Sequence, residues 1–220
     1  PPSSQKGQGL VLVDKPDRTQ VQMRVGTILC DAHNPTVFPL WLGLVAFGGI
    51  FTGPLCAEVR DKRGWSYGVG LNFDRRSPTS APMVIHSASS TKDALNCVKL
   101  VMGMLEGLAR GELSDEHLDQ ARNYLINCAP FQLATSSDMM GPILRCEFLG
   151  LSLDEVHTYP DQLKQTSNDQ VRKALVEHLS ERPLATLMVA PAETFATGLE
   201  RAFPNQSIRN VFYRSNLDLP

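Results

Sequence analysis

The sequence lacks the close residue pairs that build most metal sites and disulfide frameworks. Its five cysteines and five histidines are scattered, and no two of either kind lie within four residues of each other. The histidines are His33, His86, His117, His157 and His178, and the cysteines are Cys30, Cys56, Cys97, Cys128 and Cys146. A Cys-x-x-Cys site and a helical pair of zinc-binding histidines therefore have no support, and we predict no metal site in this chain.

Long apolar runs and an excess of charge of one sign are also missing. The 220 residues carry 21 Lys and Arg against 23 Asp and Glu, a formal net charge of −2. This balance gives no electrostatic reason to expect nucleic acid or an anionic membrane as partner. The longest apolar candidate, Val37 to Phe47, is interrupted by Pro39 and Gly43 and is too short to span a bilayer. We therefore predict neither a nucleic-acid nor a membrane partner.

The first nine residues differ from the rest of the sequence in composition. Residues 1–9, PPSSQKGQG, are polar, contain no apolar h-region and are typical of a linker. Because the sequence does not begin with Met, we expect it to be one part of a longer protein. Residues 10–220 are long enough to bury one core, and we predict one domain there. The compartment stays open between periplasm and cytoplasm.

Alternating and turn-forming residues predict two hairpins. The apolar run Leu10–Val13 is followed by turn chemistry at Lys15–Asp17, and Val21–Leu29 then alternates apolar and polar residues. We predict that these two strands pair as an opening hairpin. Strands over Trp65–Phe73 and Pro82–Ala88 are predicted to form a second hairpin.

Helical spacing and capping residues predict most of the remaining chain to be helical. Predicted helices run from after Pro35 to about Phe47, from Gly53 to Lys62, from Ser90 or Thr91 to Gly111, from Ser114 to Pro130, from Ser136 to Phe148, from Ser152 to Asp161 and from Asn168 to Ser180. Late strands are predicted at Leu184–Val189 and Ile208–Tyr213. The pattern indicates an α+β fold, with helices on one face of a mostly antiparallel sheet.

The segment Phe51–Gly70, FTGPLCAEVRDKRGWSYGVG, is the most informative part of the sequence. A helix is predicted to end near Arg60, the chain to turn at Gly64, and a strand to begin at Tyr67. This places a permanent cation and a phenol at one tight corner. On general grounds, an arginine in a last helical turn often only faces the helix carbonyls, and a strand tyrosine is usually part of the core.

The phrase LCAEVRDKRGWSYGV, from Leu55 to Val69, resembles the signature of the C-terminal, non-metal half of the pitrilysin-like (M16) zinc peptidases. The preceding Gly48-Gly49 loop and the later run from Phe131 to Leu151 are similar to the same half. The resemblance implies a ferredoxin-like α+β fold of the LuxS/MPP-like metallohydrolase type. It spans nearly the whole chain.

The resemblance also implies how this chain would act. In that family the tyrosine hydroxyl binds the carbonyl oxygen of the scissile peptide, so Tyr67 would stabilise the oxyanion and Arg60 would hold or polarise the substrate backbone. The zinc ion is expected in a partner half, an N-terminal domain or subunit that carries HxxEH. An unfolded peptide would be the substrate, a homo- or heterodimer is possible, and this chain alone would be inactive.

Two other functions stay open from the sequence. Domains similar to this one also serve as catalytically inactive scaffolds or subunit-interaction domains in larger assemblies. A free-standing ligand-binding module would need a polar constellation that the sequence does not suggest. His86, in an apolar strand, is expected to be a core or rim residue, and Ser136 to Asp138 to cap a helix.

Overall fold

The computed structural model describes residues 9–212. The strands are β1 Gly9–Asp14, β2 Gln20–Ile28, β3 Gly70–Asn72, β4 Pro82–Ser90, β5 Ala185–Ala190 and β6 Ser207–Phe212. They form one sheet in the order β3-β4-β2-β5-β1-β6. Three of its five pairings are antiparallel, whereas β1 runs parallel to both β5 and β6. The predicted α+β fold with a mostly antiparallel sheet is confirmed.

The alternation in β2 matches the face on which each residue lies. Val21, Met23 and Val25 are buried, while Gln22 and Arg24 between them are exposed. Successive side chains of a strand point to opposite faces, so a period of two marks a sheet with one covered face. The strand prediction for this segment is confirmed.

The predicted opening hairpin is wrong. β1 and β2 are not paired with each other, because β5 lies between them and bonds to both. The turn at Lys15–Asp17 reverses the chain, but a turn does not select which strand edge the chain then joins. The parallel strands β5 and β6 flank β1 and are connected by helix α8, Ala192–Ala202, which packs against β1 and β6.

Eight helices lie within residues 9–212. They are α1 Val37–Leu44, continued as a π-helix over Val45–Gly49, α2 Pro54–Cys56, continued as a π-helix over Ala57–Asp61, α3 Ala94–Ala109, α4 Asp115–Gln132, α5 Ser136–Leu149, α6 Glu155–Gln165, α7 Asn168–Leu179 and α8. The Ser114 hydroxyl caps α4 by accepting from the backbone N–H of His117, as its position predicts. α3 begins later than predicted, because Ser90 still belongs to β4 and Asp93 is the N-cap.

The helices cover one face of the sheet, and the core lies between them. Met23 and Met188 are register neighbours on β2 and β5, and both are buried on the covered face. The next register pair, Arg24 and Leu187, lies on the opposite face, where Leu187 is 40% exposed. This arrangement confirms the prediction of helices on one face of the sheet.

The segment Val37–Asp61, which contains α1 and α2, passes a length and hydropathy test for a membrane span, with a mean hydropathy of 1.7. Its most apolar window is 56% buried inside the protein, however. Ile50 also has extended backbone angles that separate the two helices. These features are those of core helices that pass the same test.

Candidate functional site

The corner that carries Arg60 is built from a π-helical turn over Ala57–Asp61. α2 begins with Pro54 at its first position, and the following π-helix is closed by the backbone N–H of Lys62 bonding to the carbonyl of Ala57 at 2.9 Å. Val59 is fully buried and holds this turn on the core. Gly64 then adopts a φ of +63°, which glycine reaches without steric cost. π-turns inside helices often occur at functional sites, so the backbone here is an unusual one.

Arg60 is held at the surface by two neighbours. Its Nε donates to Asp61 Oδ1 at 2.8 Å, and its guanidinium lies 4.8 Å from the centroid of the Phe51 ring. The hydrogen bond to Asp61 raises the pKa of Arg60 above its already high usual value, with weaker contributions from the charges of Asp61 and Tyr67. Arg60 is therefore a fixed cation, and Tyr67 lies near enough to affect its pKa.

Tyr67 does not lie in a strand, contrary to prediction. It occupies a bend before β3, which begins only at Gly70. The ring is 84% exposed, and the hydroxyl has no hydrogen bond with any residue that the structure describes. The strand prediction fails because β3 has its antiparallel neighbour β4 only from Gly70 onward.

Buried residues on both sides of Tyr67 fix the bend. Ser66 is only 3% exposed, and its hydroxyl accepts from the backbone N–H of Ala88 at 3.1 Å. Val69 is 5% exposed, and its carbonyl accepts from the Cys56 thiol at 3.4 Å. The chain is thus anchored before and after the tyrosine, which projects into solvent between the two anchors. The sequence shows Ser66 only as an ordinary polar residue, and its anchoring role was missed.

The histidines and cysteines do not fit a zinc site. No group of three or more His, Cys, Asp or Glu side chains in residues 9–212 is arranged to hold a metal ion. His178 is buried against the Thr36 hydroxyl at 2.7 Å, and burial lowers its pKa. His86 is half-buried on the open face of the sheet, 3.3 Å from the Asn72 amide, with a pKa lowered by burial and then by Arg24.

The cysteines are free thiols. Burial raises the pKa of Cys30, Cys56 and Cys97. A buried thiol with a raised pKa is a poor nucleophile and behaves as a small apolar group. The surroundings of these cysteines are those of packing residues.

Comparison with known proteins identifies the family. A family model described as the peptidase M16 inactive domain matches residues 1–125. No curated protein matches this chain. The solved structures similar to it include a peptidase M16 inactive domain from Pseudomonas fluorescens, with 24% identity and a TM-score of 0.74 over 84% of this chain and 44% of that one.

Two further structures have the same fold at lower identity. A protease from Helicobacter pylori has 16% identity and a TM-score of 0.72 over 84% of this chain and 45% of that chain. A putative zinc protease from Bordetella pertussis Tohama I has 15% identity and a TM-score of 0.63 over 80% of this chain and 96% of that chain. The chain spans less than half the length of the first two. From the family match together with the fold, this chain belongs to the peptidase M16 family, within the group described as its inactive domain.

Proposed function

We propose that this chain is the non-metal half of an M16-type zinc peptidase and contributes Arg60 and Tyr67 to a shared active site. The observation that carries the proposal is the exposure of Tyr67, whose hydroxyl lies free between two buried anchors beside a fixed cation. Aromatic residues are enriched at the cores of binding surfaces, and here the exposed ring also has a free hydroxyl.

The chemistry of the two side chains suits stabilisation of an oxyanion. The neutral phenol of Tyr67 donates a hydrogen bond, and the guanidinium of Arg60 stays protonated, so neither needs a proton transfer to act at neutral pH. Tyr67 would bind the carbonyl oxygen of the scissile peptide as negative charge develops on it. Arg60, already turned along the surface by Asp61 and Phe51, would hold the peptide backbone.

The partner in this proposal is a domain or subunit that carries HxxEH and the zinc ion. The zinc-bound water and the glutamate base would belong to that half, since the residues described in this chain do not fit a metal. Donors without a nucleophile do not hydrolyse a peptide, so this chain by itself is expected to be inert. The shared site would then require both halves to enclose an unfolded peptide.

Hydrolysis of a quenched peptide tests the proposal. It is measured for this chain, for the HxxEH-bearing half with zinc, and for the two together. We expect activity only in the mixture, and a loss of about 10²–10³ in kcat for Tyr67→Phe, as for the removal of one oxyanion donor. Tyr124→Phe is the matched control, because Tyr124 is also an exposed tyrosine, 52% exposed, on α4.

The competing function is a catalytically inactive scaffold. It predicts that the two halves co-purify without hydrolysing any peptide. It also predicts that Tyr67→Phe behaves like Tyr124→Phe in any active assembly that contains this chain. Either result would contradict a catalytic role for Tyr67.

A further inference from the structure

A second candidate site is a cavity of about 190 Å³ at the turn between β3 and β4. Its lining includes Trp41 of α1, Arg75 and Arg76 of the turn, Gln132 of α4 and Tyr159 of α6. Since one water molecule occupies about 30 Å³ of liquid, the cavity has room for a small functional group with water around it. The sequence presents the two arginines only as turn residues of a hairpin.

Arg75 is a half-buried arginine without a partner of opposite charge among the described residues. Its guanidinium lies 5.1 Å from the Phe38 ring centroid and 4.9 Å from that of Trp41. Among the residues that the structure describes, none forms an ion pair or hydrogen bond with its side chain; Glu155 acts on it only through space. Burial, and then the neighbouring charge of Arg76, lowers the pKa of Arg75 to about 10. A guanidinium packed on aromatic rings keeps its planar hydrogen-bonding edge available for a carboxylate.

The one acidic residue in the cavity wall is already engaged. Asp74 Oδ2 accepts from Arg145 at 2.7 Å, and Asp74 Oδ1 accepts from the backbone N–H of Arg76 at 3.0 Å. Within residues 9–212, the side chain of Arg76 has no acidic partner either. The cavity therefore has two positive charges that the surrounding carboxylates do not neutralise.

A further donor is oriented on the opposite wall. The Tyr159 hydroxyl donates to Gln132 Oε1 at 3.2 Å, which leaves the Gln132 amide N–H groups available. Tyr159 is itself only 5% exposed, so this hydrogen bond fixes the amide from the buried side. Guanidinium and amide donors around one small cavity are the groups that bind a carboxylate.

We propose that this cavity binds the carboxylate of a peptide, either a Glu or Asp side chain or the C-terminal carboxylate, through Arg75, Arg76 and Gln132. The aromatic rings beside Arg75 hold its planar group in place before the ligand arrives, which lowers the entropy lost on binding. This site is independent of the Arg60 corner in its contacts. Only its use as an anchor for a peptidase substrate rests on the proposed function.

The two sites are close enough in the chain to share one peptide. Arg75 lies eight positions after Tyr67, so their Cα atoms lie at most about 29 Å apart. An extended peptide of about nine residues covers that distance. A substrate cleaved beside Tyr67 could therefore present an acidic residue or its own end to the cavity.

Binding of short blocked peptides to the full chain tests this site without the zinc half. The probes are acetyl-Gly-Glu-Gly-amide, its Gln counterpart, and acetyl-Gly-Gly-Gly with a free C-terminal carboxylate. The readout is Trp41 fluorescence in a Trp65→Phe background, since the chain has two tryptophans and Trp41 contacts Arg75. Affinity is confirmed by calorimetry.

We expect at least one carboxylate peptide to bind at least about tenfold more tightly than the Gln peptide, because hydrogen bonds to charged groups are the stronger ones. Arg75→Gln and Arg76→Gln should each reduce this preference. Arg63→Gln is the matched control, since Arg63 also lies over a tryptophan, 5.3 Å from the Trp65 ring, but bonds to Glu58. Because the background replaces Trp65, this control is read by calorimetry in the natural sequence.

The peptide-binding results identify which carboxylate the cavity binds, or show that it binds none selectively. A preference for the Glu peptide identifies an acidic side chain as the ligand, and a preference for the free C-terminus identifies the chain end. Equal binding of all three peptides, or an unchanged preference in both Arg75→Gln and Arg76→Gln, overturns the proposal. Tighter binding of inorganic phosphate than of any carboxylate also overturns it.

Circular dichroism shows whether a variant is folded. If Arg75→Gln is not folded, the result for Arg76→Gln decides. Failure of peptide hydrolysis in the two-half assay contradicts only the proposed function.

Discussion

Arg60 and Arg75 both lie on aromatic rings, but only Arg60 has a carboxylate partner among the described residues. Arg60 lies over Phe51 at the surface and carries its own carboxylate, Asp61, at 2.8 Å. Arg75 lies against two rings of α1 and has no carboxylate partner among residues 9–212. An arginine with an internal partner is fixed in direction, whereas one without a partner keeps its hydrogen-bonding edge available. Arg60 is thus held by a carboxylate of its own chain, whereas the carboxylate proposed for Arg75 comes from a ligand.

The largest expected effect is a loss of kcat/KM, and its dependence on the peptide should differ between variants of Arg60 and Arg75. In the proposed two-half peptidase, Arg60→Gln should lower kcat/KM by about 10²-fold for any peptide, because on that proposal it removes a donor at the reacting group. Arg75→Gln should cost peptides with an acidic residue more than neutral ones. Quenched peptides that differ by one Glu-to-Gln change measure both. Arg110→Gln is the control, since Arg110 also bonds to a nearby acid, Glu112. Equal losses on both peptides for Arg75→Gln would contradict separate roles.

The pH dependence of carboxylate binding sharpens the same comparison. The complex needs a deprotonated ligand and a protonated Arg75, whose pKa is lowered to about 10 by burial first. Affinity for the Glu peptide should therefore decrease about tenfold per pH unit below about 4.3 and should begin to decrease again near pH 10. Fluorescence titrations from about pH 3 to about pH 11 check this, with circular dichroism at each pH. A profile that declines around pH 7 would show that another group controls binding.

The free energy of unfolding of an Arg75 variant shows whether the Arg75 side chain stabilises the fold. Arg75→Met keeps an unbranched apolar side chain against the rings and removes the charge of a half-buried guanidinium. It should change the free energy of unfolding by no more than about 1 kcal/mol, because the packing is kept and a cation–ring contact that reaches solvent contributes about 0.5–1 kcal/mol. Urea unfolding of the variant and of the natural sequence gives the difference. A clear loss of stability in Arg75→Met would favour a structural role for the stacked cation.

The smallest effect is expected where a carboxylate already pairs with cations. Glu58 accepts from Lys62 and Arg63, and those hydrogen bonds lower its pKa. Its folded-state pKa lies below the unfolded one, so its contribution is present above about pH 4.5 and disappears as the pH falls through the folded value. Glu58→Gln should cost less than about 1 kcal/mol at pH 7 and less still at pH 3. Unfolding at both pH values tests this, and a larger loss would mean that the corner depends on its ion pairs.

Local features of the fold could be predicted because each depends on a few neighbouring residues. The alternation over Val21–Leu29 predicts a strand with one covered face, and Ser114 predicts the start of α4. Gly64 and Gly150 mark turns because both adopt left-handed backbone angles. The partner of β1 could not be predicted, since the turn at Lys15–Asp17 does not show that β5 comes between β1 and β2.

The candidate sites divide in the same way. The spacing of Arg60 and Tyr67 is a sequence feature, and the family of the chain was recognisable from the phrase around it. The exposure of Tyr67 could not be predicted from the sequence. It depends on the Ser66 hydroxyl, which accepts a hydrogen bond from the backbone N–H of Ala88, 22 residues later. The catalytic roles of Tyr67 and Arg60 stay predictions, which the Tyr67→Phe and Arg60→Gln variants test.

The sequence by itself determined the start of α4 at its Ser114 cap, the strand alternation and the family, because caps, glycine turns and residue spacing act over one or two turns of chain. Only the tertiary structure decided the order of the strands, the projection of Tyr67 and the packing of Arg75 against α1. The last of these needs α1 to place Phe38 and Trp41 against a turn more than thirty residues later. Contacts of that kind are fixed by the packing of the whole core, and no local pattern in the sequence encodes them.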